Sequence, residues 1–138
     1  MRLPAISTIL KEASEIKNRK EKIEFLRSHY PNQVMLNLLK YTFDPSIEFD
    51  LPEGVPPYKP CEYMDQDARL YQESRKLYLF IKGQADNVHR LKKETMFIQV
   101  LESINPEDAK LLVGVKEKKL PYKGLTKKLI EEAFPNLL

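Results

Sequence analysis

Asn105-Pro106-Glu107-Asp108-Ala109-Lys110-Leu111-Leu112-Val113-Gly114-Val115 reads as the start and body of an α-helix. Asn105 offers a capping oxygen, and Pro106 takes the first helical position, where its missing N–H costs nothing. Glu107 and Asp108 put acids into the first turn, where the helix dipole favours them. Leu111, Leu112 and Val115 then share one face and carry the helix to about Leu120.

The same pattern recurs towards the N-terminus. Pro4 suits a first turn, and Ile6, Ile9, Leu10, Ala13 and Ile16 follow at helical spacing. Asn18 with Glu21 three residues on forms a capping box for a second helix, whose apolar face is Ile23, Phe25, Leu26 and Tyr30. Pro31 opens a third, with Val34, Leu36, Leu38, Leu39 and Tyr41 mostly inward. Helix resumes at about Asp65, with Leu70, Tyr71, Leu77, Tyr78, Phe80 and Ile81 on a broad apolar face, and Gly83 ends it. Another runs from about Asp86 to Ile104, with Leu91, Met96, Phe97, Val100 and Leu101 inward. After a turn at Pro121-Tyr122-Lys123-Gly124, a last helix covers about Leu125 to Ala133 and stops before Pro135. The expected fold is all-α: a single domain over residues 1–138 with six to seven short helices packed orthogonally around one core.

Residues 44–64 break the pattern. Pro45, Pro52, Pro56, Pro57, Pro60 and Gly54 forbid continuous helix or a central strand. An ordered, extended crossover is expected. Ile47, Phe49, Leu51, Val55 and Tyr58 either pin it to the core or form an exposed patch for a partner protein.

The chain has 138 residues, 42% of them hydrophobic and 31% charged, as in an ordinary globular domain. No apolar run approaches the roughly 20 residues that cross a membrane. The N-terminal region carries Lys11, Glu12 and Glu15, which does not suit a signal peptide. One cysteine, Cys61, fits a reducing cytoplasm. The net charge of +3 is modest, but it is unevenly spread. Between Asp44 and Asp67 seven acids face Lys59 alone, and from Lys110 onward seven lysines face three glutamates.

Enzyme signatures are absent. The four glycines are not clustered, and His29 and His89 lack a second ligand at metal spacing. Cys61 lies in an acidic, proline-rich stretch that disfavours a thiolate, and the Glu131-Glu132 and Asp65/Asp67 pairs suit helix ends. No catalytic residue, metal or cofactor is expected.

The positive signal is basic. Gly124, Thr126, Lys127 and Lys128 begin a helix, an arrangement that suits a phosphate, and Lys116, Lys118, Lys119 and Lys123 lie just before it. Lys82, Arg90, Lys92 and Lys93 form a second patch. Lysines on helix faces are also often simply solvated, and both readings stand at this point.

Both ends of the chain carry a resemblance. Ile9-Leu10-Lys11-Glu12-Ala13, Lys17-Asn18-Arg19-Lys20-Glu21-Lys22 and Phe43-Asp44-Pro45 resemble the opening helices of the N-terminal DNA-binding domain of T-even-phage-type ATP-dependent DNA ligases. Gly124-Leu125-Thr126 and Phe134-Pro135-Asn136-Leu137 resemble its closing helices, with Asn136 where that family tends to have glycine. The overall pattern also resembles small proteins of T4-like phages of marine cyanobacteria. The ligase adenylation signature Lys-x-Asp-Gly is missing, so the resemblance implies a non-catalytic module of an infected host cell's cytoplasm. It implies sequence-independent contact with the phosphate backbone of double-stranded DNA, nicked duplex included, through Gly124, Thr126, Lys127 and Lys128. Lys119 and Lys123 would support them, with Lys116, Lys92 and Lys93 as further contacts. The alternative is an adaptor that docks the acidic, proline-rich segment on a host or phage polymerase, replication or transcription protein.

Overall fold

The computed structural model describes residues 5–29, 32–52, 54–61, 69–83, 87–135 and 137. Pro4, Tyr30, Pro31, Glu53, Glu62, Asp65, Asp67, Asp86 and Asn136, all used in the sequence reading, lie outside them. The described residues form α1 (Ile6–Glu15), α2 (Arg19–Ser28), α3 (Gln33–Phe43), α4 (Arg69–Glu73), α5 (Arg90–Ser103), α6 (Pro106–Lys116) and α7 (Lys127–Ala133). A 3₁₀ helix, Ser74–Phe80, directly follows α4. Among these residues there is no strand, only an isolated antiparallel bridge between Phe49 and Ile81. The chain is all-α.

Side-chain caps fix most helix starts. Asn18 accepts from the N–H groups of Lys20 and Glu21, Asn32 from Met35, Asn105 from Glu107, and the Thr126 hydroxyl from Leu129. His89 caps α5 through Nδ1, which accepts from Leu91 N–H at 3.2 Å. α6 lies at the centre, packed against α1, α3 and α5, while α2 crosses α7. One core cluster runs from Ile6 and Leu10 through Leu26, Leu39, Phe80, Phe97 and Leu112 to Ile130 and Phe134. Each such side chain, fully buried, contributes about 1.5–3 kcal/mol of transfer free energy.

Two helices end earlier than periodicity predicts. α6 stops at Lys116 because Lys118 adopts φ 64°. Lys119 N–H then bonds Gly114 O at 2.9 Å and Lys118 N–H bonds Val115 O at 3.0 Å, a Schellman closure with lysine in the left-handed position usually given to glycine. The helix expected across residues 65–82 is, where described, one short α-helix followed by a 3₁₀ helix. The chain tightens as it approaches Ile81, which turns extended to pair with Phe49.

The proline-rich crossover is a strap on the core. Leu51 is buried, Phe49 and Tyr58 pack against the core cluster, and Ile47 is half-buried. Phe49 meets Tyr41 edge-on at 6.1 Å. The contiguous exposed apolar patch weighed from sequence is not formed: of the five residues only Val55 stands out, 71% exposed.

Candidate nucleic-acid interface

A strap rich in proline carries carbonyl acceptors but few N–H donors, so its carbonyls must find partners elsewhere. Lysines supply them. Lys118 Nζ donates to the carbonyls of Tyr41, Asp44 and Ile47 at 2.6–2.7 Å, sealing the C-terminal end of α3. Lys116 Nζ donates to the carbonyls of Pro52 and Gly54, both at 2.8 Å, and Gly54 N–H returns a bond to Glu117. Lys93 Nζ pairs with Asp50 at 3.0 Å.

These bonds correct the sequence reading at two positions. Lys93 is 1% exposed and Lys116 is 7% exposed, so neither belongs to the basic surface on which both were expected. Their stems lie in the core, and a buried ammonium must find an acceptor. The second patch is largely neutralised by the same strap, through Lys82–Glu48 at 3.3 Å and Arg90–Asp50 at 3.9 Å. Lys92 remains exposed, with no ion pair among the described residues.

Lys119, Lys123, Gly124, Thr126, Lys127 and Lys128 are brought together on the surface, and all six are exposed. Residues 118–126 and Phe43 line a groove of about 570 Å³. Leu125 and Leu129 point inward and anchor the turn, while Gly124 takes φ +93°, a conformation that a side chain would strain. A Cβ on Gly124 would fall 2.9 Å from Lys22 Nζ, so α2 contributes a cation that sequence reasoning missed. The signal was spacing: Lys22 lies three residues after Arg19 and four before Leu26, on the face that α2 turns to α7. Arg19 bonds Glu132 at 2.8 Å, and Arg27 caps the end of α7 through the carbonyls of Glu132 and Ala133.

Electrostatics give this surface an edge. Burial holds Lys118 below the usual lysine range, opposed by Asp44 and Glu48 and reinforced by Lys127. Lys118 is thus the seam between strap acids and surface lysines. Hydrogen bonds from Ser46 hold the Asp44 carboxyl below its ordinary value. Burial raises the Tyr122 phenol, which stays neutral beneath the groove. Thr126 accepts from Leu129 N–H as the cap of the seven-residue α7, and the positive charge around this turn is that of its lysine side chains.

Among the described residues no group of His, Cys, Asp and Glu could hold a metal ion. His29 packs on Phe25 with ring centres 5.0 Å apart, and His89 is spent as a cap. No described helix is long and apolar enough to cross a membrane.

No curated protein and no solved structure matches the chain. A family model matches residues 9–122, a segment that takes in the strap, the three lysines that hold it, and Lys22 and Lys119. By that match the chain belongs to DUF6433, a family of unknown function.

Proposed function

We propose that the protein is a non-catalytic, sequence-independent duplex-DNA-binding module acting in phage DNA replication, repair or host takeover. The observation that carries the reading is the cluster of Lys119, Lys123, Lys127 and Lys128 around the Gly124 turn. All four are exposed, and none forms an ion pair within the described residues. Several other surface lysines are matched, Lys76 to Glu73, Lys82 to Glu48 and Lys110 to Glu107, and those that are not, such as Lys40 and Lys92, do not gather around one turn as these four do. Unmatched cations on one face bring phosphates together and release counterions. The resemblance to ligase DNA-binding domains points the same way. The test is fluorescence anisotropy with intact duplex, nicked duplex and single strands at two salt concentrations. Duplex binding that weakens with salt and is lost in Lys127→Glu/Lys128→Glu is expected; binding unaffected by that double change would overturn the site.

A second reading is the protein-binding adaptor. It is supported by exposed Val55 beside an apolar cavity of about 190 Å³ lined by Leu51, Pro56, Phe97 and Ile98. Capture of a polymerase or replication protein that is lost in Val55→Asp would favour it; equal capture by both forms would exclude the cavity as the dock.

A further inference from the structure

The buried cations of this protein, and those that reach from α2 to α7, find an acceptor. Arg19 has Glu132, Arg27 has the carbonyls of Glu132 and Ala133, and Lys93 has Asp50. Lys116 and Lys118 have the strap carbonyls. Lys22 breaks this rule. It shares the stripe of α2 that faces α7 with Arg19, Leu26 and Arg27, and unlike the two exposed arginines it is half-buried. Its ammonium rests against the bare Cα of Gly124, yet it has no ion pair and no side-chain hydrogen bond among the described residues.

A half-buried lysine has fewer rotamers open to it, so an incoming anion orders it at lower entropic cost than a free surface lysine. The missing acceptor leaves its three donors for that anion. Gly124 lets the anion approach closely, because no Cβ stands between Lys22 and the exposed backbone of the turn.

We propose that Lys22 is a phosphate-contacting residue, and that the DNA backbone runs from Lys127 and Lys123 across Gly124 onto α2. This rests on the DNA-binding reading and adds its direction. The strap lies on the other side of the surface, where Asp44 and Glu48 flank Lys118 and repel phosphate. α2 continues the basic run with Lys20, which is exposed.

The experiment is a salt titration of duplex-DNA affinity for the wild type, Lys22→Gln, Lys22→Arg, Lys76→Gln and Lys127→Glu/Lys128→Glu. Each phosphate contact contributes about 0.9 to the slope of log affinity against log salt. Lys22→Gln is expected to bind a few-fold more weakly, with the slope reduced by about one contact. Lys22→Arg should keep the slope, and Lys76→Gln, whose cation is held by Glu73, should match the wild type. A wild-type slope in Lys22→Gln alongside a reduced slope in the double charge reversal overturns the role of Lys22 and leaves the basic surface standing. Absence of salt-dependent binding by the wild type overturns both. Far-ultraviolet circular dichroism of every variant separates lost contact from lost fold.

Discussion

Asp108 Oδ1 accepts the backbone N–H of Ser7 at 3.0 Å, joining two residues 101 positions apart. α1 begins at Ile6 after Ala5, which has no side chain able to cap it. The fully buried carboxylate in the first turn of α6 does so instead. Asp108→Ala would leave Ser7 N–H buried without this acceptor, at a cost of about 1–3 kcal/mol. Asp108→Asn keeps an oxygen in place and should lose less. Urea unfolding of both variants measures the difference.

Asp50 is the acid partner of the buried Lys93 ammonium, and that hydrogen bond holds the Asp50 carboxyl below its ordinary value of 3.8. A depressed carboxyl pKa contributes stability that is present above pH 3.8 and lost as pH falls through the folded value. Asp50→Asn should destabilise by about 1–3 kcal/mol, below the 3–5 of a fully buried pair because Asp50 is partly solvated. It should also flatten the acid limb of a plot of stability against pH. An unchanged acid limb would place the acid sensitivity elsewhere.

Lys118 combines a left-handed backbone with three carbonyl acceptors. Glycine relieves the first and forfeits the second. Lys118→Gly and Lys118→Ala should both fall below the wild type by about 2 kcal/mol or more, with alanine worse than glycine by about 1 kcal/mol. Hydrogen exchange should rise in residues 41–52 in both. A variant Lys118→Gly more stable than the wild type would show that the carbonyl bonds count for less than the strain.

Gly114 is the close-approach glycine of α6. A Cβ there would sit 2.7 Å from Lys119 O and 2.8 Å from Pro121 Cδ. Alanine is the better helix former by about 1 kcal/mol. Even so, Gly114→Ala should lower the melting temperature, because backbone and a proline ring must move to admit it. The same shift displaces Lys119 and Lys123, so DNA affinity should fall with it.

The DNA reading has a magnitude as well as a sign. With Lys22, Lys119, Lys123, Lys127 and Lys128 each on a phosphate, the slope of log affinity against log salt should approach about −4.5. Lys127→Glu/Lys128→Glu should reduce it by about two contacts. Anisotropy across a salt series reads both.

Much of the helical frame was legible in the sequence because caps act locally. Asn18 and Asn105 bond the first-turn N–H groups that their positions implied. The strap was legible too, since its proline density excludes helix whatever surrounds it. The donors that hold it were not. Lys93 meets Asp50 from 43 residues away and Lys116 meets Pro52 from 64. A lysine bound for a main-chain carbonyl carries no sequence pattern to distinguish it from a solvated one. Lys22 carried its helical spacing on α2, but its place against Gly124 depends on α2 packing on α7. The helix expected from about Asp86 is capped by His89 and begins at Arg90.

The packing of α1 on α6 and of α2 on α7 also sets a schedule for biogenesis. The apolar faces of the first two helices leave the ribosome about 100 residues before the segments that cover them. At a synthesis rate of about 5–20 residues per second, they wait roughly 5–20 seconds uncovered. Apolar faces left open in this way make a nascent chain prone to misassembly, and docking of α7, clasped by Arg27, covers the face of α2.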